Sequence, residues 1–409
     1  MNARRKWITR GVIGIVTATF FSDVAHEMAT AVLPLYLGSV GLGAAALGAV
    51  EGFADLVYSL SKLSGGVLGQ RAVHKKPWVA AGYAITALGT ASIGLAHSVV
   101  AVVSLRGAAW IGRGFRSPLR DFLLADEVEP THFGRAYGIE RTADMLGALV
   151  GPLVAIALIA FGWPARQVIL WSLIPAAIPV IAILALTRDR AASRSSTASA
   201  TSAKADASST ATADRPRIPP VFWRFLPGVL IFGLGDFSRT FLILLAARAL
   251  GDGGQSKPAT LSIAVLLYAL HNGISALAAY PIGKLGDRTS KLRLLTWGYA
   301  LGVATNILLA FTTGSFFWLV VAVVMSGIYI AAEETLEKAA AAHFLPRESR
   351  SLGLGILASA NAVGDMVSSV TLGLLLDSGH GALGFGLAAG AGAVGVAWMA
   401  AFARRQAAV

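Results

Sequence analysis

No cysteine occurs among the 409 residues, which excludes disulfides, thiolate metal sites and thiol nucleophiles at once. Charge is scarce. Asp, Glu, Lys and Arg make up 14% of the chain, against about a quarter in a typical soluble domain. No Gly-x-x-x-x-Gly-Lys-Ser phosphate loop appears, so the chain carries no ATP-driven motor of its own. No serine-nucleophile or His-x-x-x-His pattern points to a hydrolase or a metalloenzyme. Alternating ten-residue strands are missing too, which excludes an outer-membrane barrel. The first apolar run lacks a small-residue cleavage site and carries Asp23, His26 and Glu27, so it is expected to remain as a span.

What is present is apolar: 55% of residues are hydrophobic and the mean hydropathy is +0.66. The 45 glycines and 15 prolines would break up a soluble fold, but closely packed membrane helices tolerate both. Twelve apolar segments can be drawn, at 10–37, 44–68, 77–95, 98–116, 134–161, 166–187, 221–248, 260–282, 291–311, 315–336, 351–376 and 380–402. Each is close to or above the roughly 20 residues that a helix needs to cross about 30 Å of hydrocarbon.

The formal charge of +12 forms no stripe that would suit a nucleic acid. It sits in short connectors, as the positive-inside rule requires. Arg4, Arg5 and Lys6, then Arg71, Lys75 and Lys76, then Arg116, Arg120 and Arg135 fall on one side. Arg188 and Arg190, Arg288 and Lys291, Arg347 and Arg350, and Arg404 and Arg405 return to it. Both termini are therefore expected in the cytoplasm. A Ser/Thr/Ala-rich tract at 188–219 has no apolar face to bury and is expected to be a disordered cytoplasmic linker. It separates an N-terminal six-helix bundle (1–187) from a C-terminal one (220–409).

The two halves repeat. Gly66-Val-Leu-Gly-Gln-Arg71 matches Gly283-Lys-Leu-Gly-Asp-Arg288 at an offset of 217, and the same offset pairs Gly138 with Gly355, Asp144 with Asn361 and Gly147 with Gly364. One spacing kept over two loops and two helices implies duplicated bundles about an axis along the membrane normal.

This pattern resembles the major facilitator superfamily over nearly the whole chain. The family's loop between helices 2 and 3 reads Gly-x-Leu-x-Asp-Arg-x-Gly-Arg-Lys. The first copy here, Gly66, Leu68, Gln70, Arg71, Val73, His74 and Lys75, departs at Gln70 and Val73. The second, Gly283, Leu285, Asp287 and Arg288, keeps the acid. Gly147, Gly151 and Pro152 on helix 5 resemble the Gly-x-x-x-Gly-Pro of proton-exchanging exporters, and Arg106, Gly112 and Gly114 loosely meet the family's helix-4 motif. The resemblance implies an all-α membrane protein with twelve transmembrane helices in two pseudo-symmetric six-helix bundles. It also implies a bacterial inner-membrane location, monomeric in lipid, with no cofactor beyond a proton gradient.

Ionisable residues within spans are costly and usually face a cavity or a partner. Asp23 with Glu27, and Glu51 with Asp55, are i, i+4 pairs of carboxylates on one helix face. Arg141 with Asp144, and Asp236 with Arg239, are i, i+3 partners that suit structural ion pairs as well as function. In the family, helices 1, 4, 7 and 10 line the cavity, which makes Asp23, Glu27, Arg106, Asp236, Arg239, Tyr329 and Glu333 candidates for solute or proton binding. Glu51 and Asp55 flank its mouth, and His271 with Asn272 lies mid-helix 8. Arg71, Asp287, Arg288, Arg141, Asp144, Gly147, Gly151 and Pro152 are candidates for gating. Arg113, Arg116, Arg120 and Asp121 read as part of the cytoplasmic gate or as anchors of the helix 4–5 loop. At the repeat offset Arg120 meets Glu337 and Asp121 meets Lys338, a charge reversal suited to pairing between halves.

The expected function is secondary transport of a small organic solute by alternating access, with protons as the coupled partner and efflux as the direction. Asp23 is the foremost proton carrier. Acids outnumber bases among the central positions, which favours a cationic or zwitterionic solute, while Arg106 and Arg239 keep an organic anion open. Divalent-metal transport through Asp23, His26, Glu27, His271 and Asn272 is a second possibility. A membrane enzyme and a non-transporting receptor are the rival classes.

Overall fold

The computed structural model describes residues 7–39, 44–189, 217–237, 241, 245, 257–312 and 315–407. They trace α1 (Arg10–Ser39), α2 (Ala44–Arg71), α3 (Lys76–Ser92), α4 (Val99–Glu127), α5 (Phe133–Ala160) and α6 (Ala165–Leu186, in two pieces meeting at Ser172). After the connector come α7 (Pro220–Gly233), α8 (Lys257–Arg288), α9 (Lys291–Thr312), α10 (Phe316–Phe344), α11 (Arg347–Asp377) and α12 (Gly381–Ala407). Shifted by 217 positions, α4 runs from 99 to 316 and from 127 to 344, which are the bounds of α10. Most of the connector at 188–219 lies outside the described residues.

Eight of the described helices are long and apolar enough to cross a membrane. Their outward faces carry large apolar side chains: Phe311 is 84% exposed, Trp297 74% and Leu374 68%. Water would penalise such a surface, whereas hydrocarbon covers it without cost. Inside, each half has its own core. In the N-terminal half α1 packs on α5 and α6, and α4 on α2 and α3, around Ile15, Val79, Leu119, Phe133 and Ile183. In the C-terminal half Phe222, Phe225, Tyr299, Leu336 and Phe402 fill the equivalent space, with Phe232 stacked on Tyr299 at 3.7 Å. Between halves, α5 packs on α8 and α2 on α11.

Those two crossings are repeats of one another. Gly134 on α5 meets the Gly283 backbone on α8, and Gly66 on α2 lies against Ser351 and Gly355 on α11. A Cβ built on Gly355 would stand 2.9 Å from the Gly66 Cα. Only glycine allows two backbones this close.

Two segments differ most from the sequence expectation. Helix α4 continues to Glu127 instead of stopping near 116, because the charged face over 113–127 is absorbed by partners inside the protein and not by water. Helix α7 ends at Gly233 instead of running unbroken over 221–248, with a turn at 234–235 and irregular backbone at 236–237. The break is stabilised locally: a Cβ on Gly235 would lie 2.9 Å from Gly392 N on α12, and Asn306 Nδ2 donates to the freed Gly235 carbonyl at 2.8 Å. An unwound carbonyl within a membrane needs such a donor.

Candidate functional site: a charged core between the halves

Asp23 faces inward from α1 and is 3% exposed. Its counter-charge is Arg113 on α4, with Nη2 2.5 Å from Asp23 Oδ1. Arg106, the helix-4 arginine singled out from sequence, does not fill this place. Arg106 is 1% exposed, donates to Thr30 Oγ1 at 3.1 Å and lies over the Trp110 ring at 5.6 Å. Arg239 lies outside the described residues, as do the side chains of Glu51 and Asp55. The longer α4 is the reason for the difference. It carries Arg113, Arg116 and Arg120 into the bundle, where Arg116 donates to Ser22 Oγ at 2.7 Å and Thr86 Oγ1 at 2.8 Å. Arg120 pairs with Asp121 and with Glu140, both at 2.9 Å.

The glycines of α5 seat this α1 turn. A Cβ on Gly147 would come within 2.9 Å of the Asp23 Cβ, and one on Gly151 within 2.8 Å of the Glu27 Cβ. Pro152 follows within α5 without ending the helix. The motif therefore sets how far both carboxylates stand from the α5 backbone. Gly147→Leu would drive a side chain into this contact, and overpacking of a tight interface costs about 1–3 kcal/mol. We expect a lowered melting temperature in detergent and impaired transport. Unchanged thermal stability would show that α1 and α5 are not held at this spacing.

A chain of charges leads from Asp23 to the C-terminal half. Arg141 holds Asp144 at 2.6 Å and reaches Glu334 on α10 at 3.4 Å. Glu334 lies 3.5 Å from Lys338, and Lys338 lies 3.9 Å from Asp121 on α4. Asp121 and Lys338 are repeat positions of each other. Arg120 and Glu337 are as well, but they do not pair: Glu337 accepts from Tyr299 Oη and from Asn361 Nδ2 at 2.7 Å.

The wall formed by α10 has a different character. Tyr329, Glu333 and Glu337 follow one another at i, i+4 spacing, and Tyr329 Oη donates to Asp236 Oδ1 at 2.8 Å. Asp236 stands at the break after α7. Glu333 is 5% exposed and makes no hydrogen bond or ion pair among the described residues. His271 on α8 faces Ser326 Oγ at 3.1 Å and Asn272 Oδ1 at 3.4 Å. Among the described residues no three His, Asp or Glu side chains converge as metal ligands, and the set Asp23, His26, Glu27, His271 and Asn272 is divided between the two halves.

The gate candidates sort unevenly. Asp287 is fully buried and accepts from Gly134 N at 2.8 Å and Arg135 N at 2.9 Å, which are free donors at the N-terminus of α5. Lys291 at 3.2 Å and Arg135 at 3.7 Å balance its charge. Arg71 and Arg288 are exposed, with no ion pair among the described residues. A pair missed from sequence, Arg347 on α11 with Asp126 on α4, is bidentate at 2.5 and 2.8 Å. The sequence places Asp126 in the connector drawn between the fourth and fifth segments.

Comparisons with known proteins agree with this architecture. An uncharacterized MFS-type transporter of Methanocaldococcus jannaschii is 24% identical over 299 residues, 73% of this chain and 71% of that protein. The crystal structure of a bacterial homologue of the iron transporter ferroportin, in its outward-facing state, superposes with a TM-score of 0.72 at 13% identity, covering 96% of this chain and 99% of the other. That of the human organic anion transporter MFSD10 gives 0.68 at 15% identity, covering 95% and 99%. The sequence profile of the Major Facilitator Superfamily matches residues 15–270 and 237–408, and the chain belongs to that superfamily of membrane transporters.

Proposed function

We propose that the protein is a proton-coupled exporter of a small cationic or zwitterionic organic solute, working by alternating access. The observation that carries this reading is a closed basic side built over a buried charge network. Asp287 against α5, Arg347 against Asp126, Arg141 against Glu334 and Lys338 against Asp121 all join the halves at the basic ends or at mid-depth. The basic side is the cytoplasmic one by the positive-inside rule, so in this reading the arrangement is closed to the cytoplasm.

Coupling requires a carboxylate whose partner changes with conformation. Asp23 meets that requirement: it is buried against an arginine of a different helix, and a proton can replace the arginine as its counter-charge. Solute class follows from the two walls. Helix α4 offers Arg106 and Arg113, while the break after α7 and helix α10 offer Asp236 and Glu333, the latter without an ion pair among the described residues, so a molecule carrying both charges finds both partners. The divided set of metal ligands gives no support to divalent-metal transport.

Flux from proteoliposomes with an imposed pH gradient tests the reading, using a panel of amines, zwitterions, organic anions and divalent metals. Movement of an amine or zwitterion that collapses with the pH gradient is the expected result. Flux confined to anions or metals, or indifferent to the gradient, would overturn it.

A further inference from the structure

Beside the turn of α1 that carries Asp23, a small cavity lies between α1, α3 and α6. It is lined by Ser22, His26, Tyr83, Thr86 and Thr90, with alanines closing the remainder. About 10 Å³ of it is open to a water-sized sphere, which is about the room one water needs. Three polar atoms in this lining have no hydrogen-bond partner among the described residues: His26 Nδ1, the Tyr83 hydroxyl and Thr90 Oγ1. Their residues are 5%, 1% and 3% exposed. A buried polar atom without a partner costs about 1–3 kcal/mol, and three such atoms around one cavity mark a site for a hydrogen-bonding guest.

The remaining hydroxyls of the lining decide how that guest is oriented. Arg116 donates to Ser22 and Thr86, and its guanidinium lies 4.0 Å from the Tyr83 ring centroid. Thr86 itself donates to the Gly82 carbonyl at 2.9 Å. Arginine hydrogens therefore occupy acceptor capacity on this wall, and the cavity is rich in donors and short of acceptors. A guest that accepts from hydroxyls and donates to a ring nitrogen restores the balance.

We propose that one ordered water occupies this cavity, accepting from the Tyr83 hydroxyl and donating to His26 Nδ1, and so holds His26 as the neutral tautomer protonated on Nε2. Thr90 and Ser22 hydroxyls rotate to complete the shell of the water. Fixing Nδ1 as an acceptor leaves the ring proton on Nε2, and the Trp110 ring lies at right angles to the imidazole with centroids 5.1 Å apart. The water is a structural ligand, and its presence does not depend on the transported solute.

Nitrogen-15 NMR of histidine-labelled full-length protein in lipid tests this directly. The His26→Gln spectrum identifies the His26 signals among the seven histidines. An unprotonated Nδ1 in magnetisation contact with a water proton is expected, and a protonated Nδ1 or an imidazolium overturns the proposal. Thr90→Val supplies a second readout by its sign. With a bound water, removing the hydroxyl lowers the melting temperature. If the Thr90 hydroxyl is merely unsatisfied, the isosteric valine raises it or leaves it unchanged, and the proposal fails. Neither measurement requires transport to be observed, so failure here is distinct from failure of the exporter reading.

Discussion

Asp23→Asn abolishes solute movement driven by a pH gradient while solute–solute exchange stays measurable; this is the largest effect expected of a single substitution in the protein. The carboxylate is 3% exposed and 2.5 Å from Arg113. Separating such a pair within the bundle leaves a buried charge without compensation, at about 3–5 kcal/mol. A proton arriving on Asp23 removes that cost, because it neutralises the acid as the arginine departs. An amide has no proton to exchange, so the step that ties conformation to the gradient is lost. The coupled flux therefore falls to background, a loss of at least about 100-fold, the factor to which about 3 kcal/mol corresponds. Glu27→Gln removes only a neighbouring acid one turn away and shifts the pH optimum instead. Proton flux recorded beside solute flux decides the outcome. If the Asp23→Asn protein still moves protons with solute, the carrier is elsewhere, and Glu333, buried on α10 with no ion pair among the described residues, is the next carboxylate to replace.

The second large effect is expected at Asp287. Replacement by alanine releases two backbone N–H groups at the start of α5 and the charge balance of Lys291 and Arg135. A buried donor left unmet costs about 1–3 kcal/mol, so the closed basic side loses roughly 2–4 kcal/mol. A conformational equilibrium is moved by the difference in stability between its states, and a loss of this size shifts the population 30-fold or more. Transport should fall at least tenfold, and a single cysteine placed at Ser351, buried at the α2–α11 crossing, should become reactive to thiol reagents. The native chain supplies no background thiols. Gln70 holds the equivalent place in the first repeat, and Gln70→Ala should change both readouts far less. Equal effects at the two positions would show that the asymmetry between the loops does not matter.

Much of this was legible in the sequence because hydropathy and a fixed offset are one-dimensional signals. The twelve spans, the duplication and the departure at Gln70 are of that kind. Helix α4 was drawn too short because Arg113, Arg116, Arg120 and Asp121 make its last turns look soluble, and hydropathy does not distinguish a face turned to water from one turned to Glu140 or Lys338. The break in α7 was hidden for the opposite reason: its neighbours are apolar, and the donor that stabilises it, Asn306, lies 71 positions away. Which arginine serves Asp23 was beyond reach altogether, since no pattern along the chain fixes the rotation of α1 against α4.

The contact between Asp121 and Lys338 bears on how such a protein arises. Position 121 in one half lies beside position 338 in the other, and the repeat makes these the same site. In a dimer of two identical half-length chains, each subunit would present that residue to its own copy, because a two-fold interface is self-complementary. Like charges would then face each other at the axis, and a neutral residue would be the only comfortable choice. Fusion into one chain lets the two copies mutate separately, so that one becomes an acid and the other a base. From that moment the halves are no longer interchangeable: two N-terminal bundles would bring Asp121 against Asp121, and two C-terminal bundles Lys338 against Lys338.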